Sequence, residues 1–544
     1  MSVDTTLDTP ASASLARGAA SITIATAISR VTGFIRVMVV AATLGGTYLA
    51  NTYQTANTAP NVVFELVAAG VLTSVFVPTF VDYLVRREPE EGWNAASVLT
   101  SVALVGLALL SLVIALAAPW IMRLLTIGVD NAAVREREIE LGTSLLRLFA
   151  PQVIFYGVGM IMTGALHAHR RFAMPAIAPI FNNVLVIGVY LLYAAMREGR
   201  PGGVFAVTTG ETLVLGLGTT LGVVAMTVCL VPQLRRLGWR FRWRFDTKHP
   251  AVGRAARVGA WTLGYAGGYQ AGLIVVLVLA NQIAGGVAAY QWAYVFFFVP
   301  HALFAAPIFH VLFPAMSEDV ARGQTESLET RLRSATSMLL FILAPIAAGL
   351  AVAGEPLSRL TLEYGLMDQR DAELVGRVIA AFAVGLPAYS AFLVLTRAYY
   401  ALGDAKTPAL VNGLAVVISS VAAAVLFYAA EFEWAVPGLA LGHSIGFAVG
   451  TAFLIALLRR HRINLIAGDV AGAVARSLLL GVVAALAMGF VGSLFENDSK
   501  GDALAGLSAM AATGLVVYLA GALILSAPEL QRMRDLVGRK GRGG

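Results

Sequence analysis

Two arginines stand inside the first long apolar stretch of the chain, which reads AASITIATAISRVTGFIRVMVVAATL from Ala19 to Leu44. Such a stretch exceeds the roughly 20 residues needed to cross a bilayer, yet Arg30 and Arg36 lie well within it. An arginine at the centre of a membrane helix costs about 2.5–3.5 kcal/mol on insertion scales, so the pair needs a reason to be there. A guanidinium is a planar fork that binds phosphate or carboxylate through paired hydrogen bonds. Six residues along a helix is about 9 Å of rise and about 120° of rotation, so both groups can line one broad face. Gly33 between them is expected to keep the backbone open. The chemistry this suits is a wet, cationic cavity that holds an anionic substrate. Snorkelling toward the interface is the competing reading, stronger for Arg30 than for Arg36.

Other polar groups within apolar spans extend the candidate set. Glu65, just after Pro60-Asn61, can pair with an arginine, join ion coupling when protonated, or stand as a plain interface carboxylate. Arg397 falls inside the tenth span and Arg147 near the outer end of the fourth; each suits the cavity, a structural pair or snorkelling. His167 and His169 are two apart and therefore face different sides of a helix, as surface polar residues. His310 and His443 are expected to be satisfied helix–helix contacts, and Asn182, Asn183 and Gln270 to be interhelical hydrogen-bonding groups. The single cysteine, Cys229, sits in an apolar run as a small filler. No phosphate-binding loop, nucleophile motif or metal-spaced cluster is present in the sequence, so neither an enzyme nor a bound cofactor is expected.

The elements that must position these residues are membrane helices. Of the 544 residues, 58% are hydrophobic and only 13% charged, with a mean hydropathy of +0.76, whereas a soluble domain carries about 25% charged residues. About fourteen spans are expected, near 19–44, 61–85, 96–124, 142–167, 174–196, 209–233, 255–281, 287–314, 334–353, 375–402, 407–430, 434–458, 470–493 and 503–526. Alternate connections hold most of the 39 Lys and Arg, among them Arg86-Arg87, Arg170-Arg171, Arg322–Arg333 and Arg459–Arg462. The intervening loops 43–60, 282–286 and 431–433 hold none. The positive-inside rule then puts both termini on the cytoplasmic side of the cytoplasmic membrane. The densest basic run, QLRRLGWRFRWRFDTKHPAVGRAAR from Gln233, interleaves aromatics with arginines and suggests an amphipathic helix lying on anionic lipid, with a pocket for a substrate head group as the alternative, rather than a nucleic-acid site.

An internal repeat organises the spans. His167–Ala176 and Tyr400–Ala409 have the same position and shape, each between two apolar helices, and Val77-Pro78 and Phe313-Pro314 end the second and eighth spans. The offset covers six spans, so the halves share polarity, a common transporter plan with the substrate site between halves. The expected organisation is all-α and polytopic: two pseudo-symmetric six-helix lobes, residues 19–233 and 255–458, joined by a basic cytoplasmic linker, 234–254. A polar tail (1–18) precedes them. Two extra helices (459–530) and a basic cytoplasmic tail (531–544) follow.

Ser29-Arg30-Val31-Thr32-Gly33-Phe34-Ile35-Arg36 resembles the first-helix signature of the MurJ (MviN-type) lipid II flippases of the MOP exporter superfamily. The resemblance continues through Asn57–Asn61, Gly70–Pro78, Arg171–Pro179 and Tyr400–Pro408, over nearly the whole chain. It implies a MATE-like fold and transport of undecaprenyl-diphosphate-linked peptidoglycan precursor from the inner to the outer leaflet by alternating access. By the same resemblance Ser29, Arg30 and Arg36 are cavity residues, the arginines gripping the diphosphate, and the last two spans form a groove for the lipid tail. The chain departs from the best-known members at Asn51, Phe64 and Ala69, where they have Asp, Arg and Glu, and near Val295, where they have Arg. Arg147 and Arg397 are the candidates to supply the missing charge. Two other readings stay open: a MOP-type exporter of another polyprenyl-linked glycan or of drugs, and a non-transporting scaffold for cell-wall synthesis proteins. A drug antiporter should carry several intramembrane acids, and a scaffold should tolerate loss of both arginines.

Overall fold

The computed structural model describes residues 9–532 apart from 72–88, 198, 201, 240, 250–251, 254–266, 269, 466–468 and 496–498, and the described residues are helical with short links. They separate into two compact units, Met1–Gln270 and Ala271–Gly544. Twelve helical segments among them are long and apolar enough to cross a membrane. These correspond to twelve of the fourteen expected spans. The other two, 61–85 and 255–281, are each described only in part, the latter as the shorter apolar helix Gln270–Ala280.

The first unit contains α1 (Thr9–Leu44), α2 (Tyr48–Val71), α3 (Pro89–Leu125), α4 (Ala132–Phe149), α5 (Gln152–Ala168), α6 (Ala173–Arg197), α7 (Thr209–Val228) and the short α8 (Val231–Arg236). Helix α6 packs between α1 and α7, α4 lies against α2, α3 and α7, and α5 against α3 and α7. Four helices of this unit start well before the expected spans: α1 at Thr9, inside the expected polar tail, α3 at Pro89, and, with a visible physical reason, α2 and α4. Helix α2 starts at Tyr48, so most of the expected outside loop 43–60 is helix. Asn51, Thr52 and Thr55, which lower its hydropathy, are wholly buried within the unit. Hydropathy measures fitness for lipid, and a helix that hides polar groups against protein escapes it. Helix α4 likewise starts ten residues before the expected span. Asn131 caps it through its side chain to the N–H groups of Ala133 and Val134, and buried Glu138 accepts a 3.0 Å hydrogen bond from Thr52.

The basic run after α8 does not form an amphipathic helix. Gly238 turns the chain at φ +87°, and residues 241–246 are not helical. The backbone N–H groups of Arg242 and Arg244 donate to Ser97 Oγ (3.4 Å) and Ser101 Oγ (3.0 Å) of α3. Residues two apart on an extended chain are about 6.6 Å apart, and serines one turn apart on a helix about 6 Å, so the two repeats match. The alternation of Trp239, Phe241, Trp243 and Phe245 with basic residues is itself a period-two pattern, which suits an extended segment better than a helix.

The second unit contains α9 (Gln270–Ala280, opening at the boundary), α10 (Gly286–Pro300), α11 (Ala306–Ala321), α12 (Thr325–Leu362), α13 (Gln369–Ala401), α14 (Lys406–Ala429), α15 (Phe432–Leu458), α16 (Asp469–Gly492) and α17 (Lys500–Ile524). A π-helical turn, His301–Ala305, follows Pro300 and separates α10 from α11. Helix α13 packs against α12 and α15, and α15 against α14. The close approach of α12 and α13 rests on Gly354 and Gly376, where a Cβ on Gly354 would stand 2.5 Å from the Gly376 carbonyl oxygen. The final pair, α16 and α17, packs on α12 through Phe341, Leu480, Met488, Met510 and Tyr518, and Tyr518 donates to the Phe341 carbonyl at 2.9 Å. The outer faces of this pair keep Leu479, Leu486, Phe490, Val516 and Ile524 exposed, as a surface bathed in lipid would.

The repeat recurs in backbone detail. In the first unit Arg170 takes φ +57° and the N–H of Arg171 closes on the Leu166 carbonyl (2.8 Å) before α6 begins. In the second, Gly403 takes φ +77° and Asp404 closes on the Tyr399 carbonyl (2.9 Å) before α14 begins. Both are six-to-one closures at a helix C-terminus.

Candidate functional site

On α1, four large apolar side chains, Ile24, Ile28, Val31 and Ile35, form one exposed stripe. The opposite side carries Ser29, Arg30, Gly33 and Arg36 and meets α6. Asn183 of α6 donates to the Ser29 carbonyl (3.2 Å) and to Thr32 Oγ1 (3.1 Å), and its amide nitrogen lies 3.5 Å from where a Gly33 Cβ would be. The expected open backbone at Gly33 is therefore a seam closed by α6. A helix turns about 100° per residue, which places Gly33 between Arg30 and Arg36 in angle, about 60° from each. The two arginines consequently flank the seam on opposite sides.

Arg36 is half-buried and lies within electrostatic range of Tyr53, Tyr156 and Tyr190. Tyr53 shares a 2.7 Å hydrogen bond with Thr219 and packs edge-on against Tyr190 and Phe149, with ring centroids 5.6 and 5.4 Å away. Among the described residues no carboxylate forms an ion pair with Arg36. A planar guanidinium is the group that binds phosphate or carboxylate through paired hydrogen bonds. These tyrosines are not among the sequence candidates; the signal available in the sequence is a hydroxyl-bearing ring in each of three apolar stretches, which needs a polar neighbour when buried.

The remaining candidates are dispersed. Arg30 is exposed. Glu65 lies well along α2 rather than one turn into a span, is exposed, and accepts a 2.6 Å hydrogen bond from Gln270. Arg147, in the last turn of α4, is exposed and donates to the Ala115 carbonyl of α3 at 3.3 Å. Arg397 belongs to the second unit, exposed on α13, with its guanidinium carbon 5.8 Å from the Tyr400 ring centroid. Asn51 is wholly buried; the side chains of Phe64 and Ala69 lie outside the described ones, as does that of His310.

The histidines divide. His169 stacks on Trp93 and His167 approaches Phe172, on different sides as their spacing requires. His443 is not a hydrogen-bonded contact: among the described residues neither ring nitrogen has a partner. It is held instead by the rings of Tyr294, Phe297, Phe382, Tyr389 and Phe447. Outside the spans, Asp404 in the repeat loop accepts hydrogen bonds from Thr407 N (2.9 Å), Thr407 Oγ1 (2.7 Å) and His461 Nε2 (3.2 Å). Burial pushes its carboxyl pKa up, but these bonds together outweigh that and hold it below the usual carboxylate value.

Comparison with known proteins agrees with this architecture. The family model described as Lipid II flippase MurJ matches residues 40–505. A probable lipid II flippase MurJ of Synechocystis is 26% identical over 542 residues, covering 97% of this chain and 98% of its own. Another, from Rhizobium meliloti, is 28% identical over 417 residues, 76% of each chain. A solved lipid II flippase MurJ in an inward closed conformation superposes with a TM-score of 0.73 at 21% identity, covering 95% of this chain and 99% of that one. An inward-facing MATE multidrug transporter of the MOP superfamily reaches 0.63 at 13% identity, covering 81% and 96%. With the family match extending over most of its length, the chain belongs to the MurJ lipid II flippase family.

Proposed function

We propose that this protein moves lipid II, the polyprenyl-diphosphate-linked peptidoglycan precursor, from the inner to the outer leaflet of the cytoplasmic membrane. The observation that carries the reading is Arg36, half-buried within an apolar helix and, among the described residues, without a carboxylate ion pair. Its guanidinium binds the diphosphate as a bidentate donor, with Arg30 and Ser29 on the same helix and Arg147 and Arg397 as further cationic contacts along the path. Glu65, already held by Gln270, is the carboxylate available for ion coupling. The two units act as the lobes of an alternating-access cycle, which binds tightly in one state and must loosen the same contacts in the other to release its cargo. Both termini face the cytoplasm in this reading, as the basic connections require.

The test is lipid II export in cells depleted of their own flippase, with wild type and Arg30→Ala plus Arg36→Ala at matched membrane levels. Wild type restores export and the double variant does not. A wild type that moves no lipid II removes the reading in favour of another polyprenyl-linked glycan. Export that survives the double substitution removes the cationic site.

A further inference from the structure

We propose that the first unit carries a second lipid site, separate from the Arg36 site: a groove between α3, α5 and α7 that holds an acyl chain of an anionic phospholipid whose phosphate sits at Arg235. The groove has a volume of about 860 Å³, within the roughly 300–1,000 Å³ of sites that take a small molecule. Its walls are apolar, with Leu104 from α3, Ile154, Val158 and Met162 from α5, and Val228 from α7. One end is closed by Trp239 and Phe241 of the segment that Ser97 and Ser101 tie to α3.

Three observations point to a lipid with a charged head. Arg235 is the one charged side chain among the described residues that line the groove. Arg236, Arg242 and Arg244 are exposed beside it in the chain, Arg244 hydrogen-bonded to Asn94, with Asp246 the acid on the same strap. Finally, Thr100 and Trp239 both line the groove, are 3% and 8% exposed, and have a hydroxyl and an indole N–H without a hydrogen-bond partner among the described residues. A phospholipid offers each what it lacks: a chain for the apolar wall, ester oxygens for the neck, and a phosphate for the arginine. An interfacial arginine contributes about 1 kcal/mol of attraction to an anionic leaflet, and a bidentate phosphate contact adds geometric selectivity.

The groove is distinct from the Arg36 site because α5 presents different faces to them. Ile154, Phe155, Val158 and Met162 share the groove face, whereas Tyr156, which senses Arg36, lies about 100° round the helix from Phe155. The proposal therefore does not depend on what Arg36 binds.

Native mass spectrometry of the full-length protein in detergent, titrated with dioleoyl phosphatidylglycerol or dioleoyl phosphatidylcholine, tests it. Wild type should retain one phosphatidylglycerol at about tenfold lower lipid concentration than phosphatidylcholine. Arg235→Gln should erase that preference. Val158→Trp, which fills the groove, should remove the retained lipid, with Arg235→Gln deciding the matter if the bulky variant unfolds. Equal retention of the two lipids, or a preference that survives Arg235→Gln, overturns the proposal. Displacement of phosphatidylglycerol by undecaprenyl phosphate at lower concentration also overturns it, by giving the groove to a polyprenyl tail.

Discussion

Replacing Arg36 by alanine separates a binding arginine from a structural one. A structural arginine leaves behind a buried, unpaired carboxylate when it is removed, at a cost of about 3–5 kcal/mol. Among the described residues Arg36 has no such partner, and the Tyr53 hydroxyl keeps its 2.7 Å bond to Thr219 after substitution. Folding stability should therefore move by no more than about 0.5 kcal/mol, the range of substitutions that break no buried contact. Transport should fall far more. A hydrogen bond to a charged group contributes about 1.5–3 kcal/mol, so losing even one diphosphate contact predicts roughly a ten- to hundredfold loss. Arg36→Lys should recover part of it, because a point charge replaces the planar fork. The assay is flipping of fluorescent lipid II in proteoliposomes at matched protein density, with thermal unfolding of the same preparations. Transport unchanged in Arg36→Ala refutes the reasoning. So does a loss of transport that tracks an equal loss of stability, since that is the signature of an arginine holding the fold.

Four further outcomes follow from the geometry. Asn183→Ala removes both side-chain bonds from α6 to α1 and should lower stability by about 0.6–1.7 kcal/mol, the range for interhelical hydrogen bonds in membranes, seen as a lower unfolding temperature. Gly376→Ala sets a methyl against the backbone of Glu355, which cannot yield as a side chain can; destabilisation of about 1–3 kcal/mol is expected, and unchanged melting would show that the α12–α13 contact is looser. Because the Asp404 carboxyl is held below its ordinary value of 3.8, its contribution is present above that pH and lost as pH falls through the folded value. The stability gap between wild type and Asp404→Asn should accordingly be widest near neutrality and close in acid; a gap constant from pH 7 to pH 3 contradicts the hydrogen-bond account. Replacing Arg147 and Arg397 together by glutamine should weaken lipid II transport, and wild-type flipping rates in that variant would remove both from the substrate path.

How much was legible in the sequence differs from residue to residue. Span existence follows from local composition: twenty apolar residues in hydrocarbon have one way to satisfy their backbone, and α6, α14 and α17 begin and end close to where hydropathy puts them. The repeat was legible for the same reason, since the closures at Arg170 and Gly403 are made by residues a few positions apart. Arg30 and Arg36 also stood out unaided, because a charge within an apolar stretch is costly wherever the helix ends up. What the sequence alone could not supply was the face each residue finally shows. Asn51, Thr52 and Thr55 lower local hydropathy like a loop, yet they are buried in the fold, Thr52 bonded to Glu138 of α4, and Gly33 is met by Asn183 of α6. Tyr53, Tyr156 and Tyr190 come from three separate helices, so no local pattern could announce them as neighbours of Arg36. Hydropathy and short-range hydrogen bonding are sums over nearby residues and can be read in order along a chain. Which tyrosines come within electrostatic range of an arginine depends on which helices pack, and only the tertiary structure decides that.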